Sequence, residues 1–120
     1  MDKIAKTSVL FDIYGGLLTD KKRKTMELYN EDNLSLAEIA DEFGISRSAV
    51  YDSIRSTENT LLGYEEKLGL LNSFERRTKL SEMLLSRMSD IRSAVNRGES
   101  GERITEILDG MEELLGKLED

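Results

Sequence analysis

Three observations predict an all-α fold for this chain. Its 120 residues include no proline, 34% of them are charged, and apolar residues recur at steps of three and four through most of its length. Without proline, no position lacks the backbone donor that a helical ladder requires. The three-four spacing lays an apolar stripe along one face of each helix. Period-two alternation, the mark of a half-buried strand, is nowhere sustained. The elements fall into two parts, a helix-turn-helix domain over residues 1–71 and a C-terminal helical hairpin over residues 72–120.

Ile4, Leu10, Phe11, Ile13, Tyr14, Leu17 and Leu18 outline a first helix, loosened at Gly15 and Gly16. Thr19 reads as the cap of a second helix containing Met26, Leu28 and Tyr29, and Asp20 at its start complements the helix dipole. The polar run Asn30-Glu31-Asp32-Asn33 ends it. Ser35 followed by Glu38 is a capping-box pattern, in which each side chain takes an orphan backbone N–H of the other residue. Leu36, Ile39, Ala40 and Phe43 then give a third helix one apolar stripe. Gly44 suits the left-handed C-terminus of that helix, Ile45 is expected to anchor the turn in the core, and Ser46 to cap the next helix.

From there Val50, Ile54, Thr57, Leu61, Tyr64, Leu68 and Leu71 predict one long fourth helix, its stripe weakened by Thr57, Gly63 and Gly69. Asn72 with Glu75 offers a second capping box for a helix bearing Leu80, Leu84, Met88, Ile91 and Val95. Gly98-Glu99-Ser100-Gly101 reads as a loop. Ile104, Ile107, Leu108, Met111, Leu114, Leu115 and Leu118 form the cleanest amphipathic stripe of the chain.

Composition excludes much chemistry. With no His and no Cys there is no Ser-His-Asp triad, no thiol nucleophile, no disulfide and no conventional zinc site. The carboxylates fall at intervals expected of solvated helix faces, so no catalytic residue, metal or cofactor is assigned. No apolar run approaches a membrane span and no signal peptide is evident, which makes a cytoplasmic protein the expectation. The net charge of −7 is unevenly spread. Residues 1–73 carry nine basic and thirteen acidic side chains, residues 74–97 six and three, and residues 98–120 two and eight. Most of the acidity therefore belongs to the last helix. Phosphates respond to the local surface, so the overall charge does not veto nucleic-acid binding.

The segment Ser35–Tyr51 has the grammar of a helix-turn-helix: a short capped helix, a glycine turn, and a second helix opened by a serine. Ile39, Ile45 and Val50 fill its centre, and Ala40 lets the helices approach. Contacts to DNA are expected from the exposed start of the second helix, at Ser46, Arg47, Ser48, Tyr51 and Arg55. Arg47 reads as a phosphate or guanine contact, Arg55 as a backbone contact, and Tyr51 as a stacking or hydroxyl contact. Asp52 on the same helix opposes phosphate. The run Lys21, Lys22, Arg23 and Lys24 is the strongest local basic patch and is expected to anchor the DNA backbone. Arg76, Arg77 and Lys79 read as helix solvation. The apolar face of the last helix is expected to pack against the 73–97 helix, and the apolar surface left over predicts a symmetric homodimer.

Ala37-Glu38-Ile39-Ala40, Gly44-Ile45-Ser46 and Val50 resemble region 4 of sigma factors. A closer resemblance is to the YlxM family of small bacterial helix-turn-helix proteins. Its tokens here are Leu10-Phe11-Asp12-Ile13-Tyr14, Leu17-Leu18-Thr19-Asp20-Lys21, Glu27-Leu28-Tyr29, Ser46-Arg47, Ala49-Val50-Tyr51-Asp52, Thr57-Glu58, Tyr64-Glu65 and Lys67-Leu68. They span about residues 9–77. The resemblance implies a sigma-region-4-like domain with a helical C-terminal extension and a link to the signal recognition particle. It also implies recognition contacts at Ser46, Arg47, Tyr51 and Arg55. Two departures stand out: sigma factors usually carry basic residues where this chain has Tyr51 and Ser53, and the YlxM pattern has a second basic residue where it has Ser56. The leading expectation is a DNA-binding regulatory protein. The alternative is an interaction protein that binds the particle's RNA or GTPase and no promoter.

Overall fold

The computed structural model describes residues 1–119, and the described residues are helical with no strand. Six α-helices follow one another: α1 (Lys3–Tyr14), α2 (Asp20–Met26), α3 (Leu36–Phe43), α4 (Arg47–Leu68), α5 (Leu70–Asn96) and α6 (Gly101–Gly116). They form two compact units, the first spanning Met1–Leu71 and the second beginning at Asn72.

The helix ends are set by local chemistry. Asp2, Thr19, Ser35, Ser46 and Ser100 each accept a backbone N–H three residues on, and so cap α1, α2, α3, α4 and α6. The capping box expected at Ser35 and Glu38 is complete in both directions, at 3.1 Å each way. Gly15 opens a 3₁₀ turn (Gly15–Leu17) pressed against Phe11, where a Cβ would lie 3.2 Å from the ring. Beyond Met26 the chain widens into a π-helical turn (Glu27–Glu31) before Asn33 takes a left-handed conformation. The second helical segment thus ends at Glu31, inside the polar run expected to end it.

In the first unit, α4 packs against α1, α2 and α3. Twelve side chains form its core, among them Leu10, Tyr14, Met26, Ile39, Val50 and Leu61 at 1% exposure or less. At roughly 1.5–3 kcal/mol for each large apolar side chain removed from water, this cluster dominates the unit's stability. Thr57 is fully buried within the stripe and returns its hydroxyl to the Ser53 carbonyl at 2.8 Å, so it fills the core without an unsatisfied donor. Ile4 (81% exposed) and Leu17 (58%) lie outside the core that the spacing assigned them to. Ile45, at 37%, anchors the turn only in part.

Two contacts join α1 and α4 at the same offset. The Thr7 hydroxyl donates to Glu58 at 3.5 Å, and the Tyr14 hydroxyl to Glu65 at 2.7 Å. Seven residues separate the pairs on both helices, so α1 and α4 lie side by side in the same direction, in heptad register. The fourth helix does not reach Leu71. Gly69, left-handed at φ +62°, ends it at Leu68, and α5 starts at Leu70. Asn72 therefore lies within the first turn of α5 and is not the residue that opens it. The new helix start is served from elsewhere: Leu70 N–H donates to the Tyr14 hydroxyl at 3.1 Å, and Leu71 N–H to Glu65 Oε1 at 3.0 Å. These are two of the amides that every helix N-terminus leaves without an internal partner.

In the second unit, Gly98 closes α5 with bonds from Gly98 N–H to the Val95 carbonyl and from Glu99 N–H to the Ala94 carbonyl. Ala94, Ile107 and Leu114 are its buried apolar residues among those described. Leu85, Met88, Val95, Leu108 and Leu115 stay at least 45% exposed.

Burial first, and then the hydrogen bond to Glu65, raise the Tyr14 pKa above its ordinary value of 10.0. A folded pKa above the unfolded one means that the fold favours the neutral phenol. The resulting stability is present in full below pH 10 and is lost as pH climbs through the folded pKa. Tyr14→Phe should lower the melting temperature at neutral pH by about 5 °C, since the Leu70 amide loses its acceptor. It should also flatten the alkaline decline above pH 10. Thermal melts from pH 8 to 11 on both proteins check both effects.

Candidate nucleic-acid interface

The turn between α3 and α4 follows from three residues. Gly44 adopts φ +65°, and the bond from Ile45 N–H to the Ala40 carbonyl at 3.1 Å folds the chain back over the end of α3. Ser46 then stands in extended conformation and accepts Ala49 N–H at 3.0 Å, which opens α4. Val50 and Ile54 are buried, which turns the opposite face of α4 outward. Arg47, Ser48, Tyr51, Asp52 and Arg55 are all exposed.

Arg47, Tyr51 and Arg55 recur every four residues and form one exposed row along α4. The structure joins two of them, since Arg55 Nη1 donates to the Tyr51 hydroxyl at 3.3 Å. That bond holds a phenol ring and a guanidinium together at the surface. Ser46 has its oxygen engaged in the cap, leaving its O–H proton available. Asp52 has no ion-pair partner among the described residues and puts a negative charge beside Arg55.

The basic run lies on the seven-residue helix α2. Lys21 and Lys24 are exposed, and Lys22 and Arg23 are half-buried. Arg23 is bound to Asp20 one turn earlier, so part of its charge is already neutralised. No described hydrogen bond or ion pair links this run to the α4 row.

Two neighbouring clefts escaped the sequence reading. One, of about 530 Å³, lies between the start of α1, the π-helical turn and the middle of α4, with Lys3, Thr7, Tyr29, Asn30, Asn33 and Glu58 in its wall. The other, of about 370 Å³, shares Lys3, Tyr29 and Glu58 and extends to Tyr51, Arg55 and Asn59. Lys3 and Glu58 are 55 residues apart, and only the parallel packing of α1 on α4 brings them together. Among the described residues, no group of three or more carboxylates is placed to hold a metal ion. No described helix is long and apolar enough to cross a membrane.

A family profile described as "Putative helix-turn-helix protein, YlxM / p13 like" matches residues 1–99. The chain belongs to the UPF0122 family. It is 43% identical over 114 residues to a UPF0122 protein of Halalkalibacterium halodurans, covering 95% of this chain and 98% of that one. It is 48% identical over 89 residues to the UPF0122 protein YofM of Lactococcus lactis, covering 74% of this chain and 80% of that one. A Bacillus cereus UPF0122 protein is 49% identical over 90 residues, covering 75% of this chain and 82% of that one. The likeness therefore runs past residue 77, the end expected for the resembling stretch. Amphipathic helices such as α5 and α6 accept many apolar residues at each position, so they leave few recognisable tokens.

Loss of the α4 cap is measurable. Ser46→Ala should cost about 1 kcal/mol in urea unfolding, and Ser46→Asp should restore most of it.

Proposed function

We propose that this chain is a DNA-binding regulatory protein of the signal recognition particle pathway. The helix-turn-helix geometry carries the reading, above all the row Arg47, Tyr51 and Arg55 exposed along the start of a capped α4. An α-helix fits the major groove of B-DNA, and its N-terminal residues reach the base edges. In this mechanism Arg47 reads or grips at the first turn and Arg55 holds the backbone from the third. Lys21, Lys22 and Lys24, with Arg23 in support, anchor a flanking phosphate stretch. The pathway assignment rests on the likeness to YlxM proteins. A second reading is binding to the particle's RNA or GTPase without promoter DNA; Asp52 favours the GTPase, because its carboxylate beside Arg55 opposes the phosphates of DNA and RNA alike.

Homodimerisation through the second unit belongs to the same proposal. Three buried apolar residues among those described are a thin core for two helices, and the exposed leucines of α6 supply further surface to bury. Sedimentation equilibrium at micromolar concentration should give twice the 13.6 kDa chain mass, and a monomer would end the dimer proposal.

Titration against duplex DNA over a salt series tests the main reading. Arg47→Ala with Arg55→Ala should weaken binding at least tenfold, by analogy with roughly 1–3 kcal/mol for a specific Arg contact. Replacing Lys21, Lys22 and Lys24 by Ala should lower the salt slope by about 3, one for each phosphate that no longer meets a lysine. Unchanged affinity in the double variant defeats groove reading, and binding to particle RNA alone selects the second reading.

A further inference from the structure

The paired clefts beside α4 hold a carboxylate that the fold leaves short of partners. Glu58 is half-buried, receives only the long Thr7 hydrogen bond at 3.5 Å, and forms no ion pair among the described residues. It lines both clefts, as do Lys3 and the ring of Tyr29. Tyr29 is 40% exposed and Tyr51 is 49% exposed, so both side chains are accessible from solvent. Lys3 stands in both walls and Arg55 in the second.

We propose that this double cleft seats an unpaired guanine nucleotide. The charge pattern selects the ligand: cations from two different helices accompany one carboxylate, matching a base whose flanking phosphates are negative and whose edge is rich in donors. Guanine presents N1–H and N2–H₂ side by side, and a carboxylate with free oxygens accepts both. Stacking of a base on an exposed tyrosine is worth roughly 1–3 kcal/mol by alanine substitution, which suits Tyr29. Asn30, also in the wall, keeps its side-chain Nδ2 buried with no acceptor. That unsatisfied donor complements the guanine O6 in chemistry. An arginine side chain could also meet Glu58 and a tyrosine face, but Lys3 and Arg55 repel it while they attract phosphate. The volume of about 530 Å³ falls within the range of small-ligand sites.

The seat borrows Arg55 and Tyr51 from the nucleic-acid face and so rests in part on that reading, although its own determinants are Glu58 and Tyr29. The test is fluorescence anisotropy with labelled five-nucleotide single strands carrying guanine, inosine, adenine or cytosine at the centre of a uracil background. Guanine is expected to bind about tenfold tighter than adenine, with inosine in between because it lacks the N2 amino group. Glu58→Gln is expected to abolish this preference, and Tyr29→Leu to weaken every strand, with far-UV melts showing both variants folded. Arg47→Ala, which is expected to impair duplex binding, should leave the guanine preference intact, so the two readings can fail separately. Competition by free guanosine monophosphate equal to that of the oligonucleotide assigns the seat to a mononucleotide, and its failure to compete assigns it to a strand. Equal affinity for all four strands, tighter binding by Glu58→Gln, or binding of an arginine-rich peptide in place of the guanine strand would overturn the proposal.

Discussion

The first unit depends on the junction of Tyr14, Glu65 and the first two amides of α5. Ending α4 at Gly69 and restarting at Leu70 leaves N–H groups in need of acceptors. Tyr14, 1% exposed, accepts one of them while donating to Glu65, and Glu65 Oε1 accepts the other. Each oxygen in the chain polarises the next, which strengthens hydrogen bonds removed from water. The Tyr14 ring also meets Tyr64, with centroids 5.9 Å apart and planes tilted by 45°, within the separation at which aromatic pairs attract. One side chain thus fixes the end of α1, the last turn of α4 and the start of α5.

That junction also determines what α4 shows to solvent. With Tyr14 on Glu65 and Thr7 on Glu58, α1 touches α4 at two points two helical turns apart, which leaves little freedom for α4 to roll about its axis. Val50, Ile54, Thr57 and Leu61 are held inward, so Arg47, Tyr51 and Arg55 must point out. A rotation of one residue, about 100°, would bring Tyr51 toward the core and expose Val50. The buried stripe therefore enforces the position of the row that could meet nucleic acid. The same packing sets Lys3 of α1 beside Glu58, so the clefts and the row share one mechanical origin.

Much of this was legible in sequence because it is local. The capping box at Ser35 and Glu38, the left-handed Gly44 and the Ser46 cap each need only residues within four positions, and all three stand as the sequence specifies them. The exposed arginines follow from helical periodicity. What stayed hidden depends on distant partners. The stripe from Val50 to Leu71 keeps its spacing across Gly69, so periodicity alone cannot separate one long helix from two. Only the donor needs of Leu70 and Leu71, met by Tyr14 and Glu65, reveal the break. The π-helical turn at Glu27–Glu31 has no compositional signature. Lys3 and Glu58 become neighbours only after α1 settles on α4.

Electrostatics limits how the interface can work. Charges farther than about 8 Å from a phosphate are largely screened at physiological salt. Within that distance on α4 stand Asp52, one turn before Arg55, and Glu58, one turn after it and in the same cleft wall. On α4 the two arginines of the row stand against Asp52 and Glu58, and on α2 Arg23 is already committed to Asp20. Few phosphates can be neutralised by such a surface, and counterion release scales with their number. Tight binding must then draw on contacts that do not depend on charge. The side chains suited to that role are exposed aromatics, and Tyr29 and Tyr51 line the same cleft beside α4. If the guanine seat is as proposed, a surface of this composition suits a ligand with accessible base faces better than one that offers only a phosphate backbone.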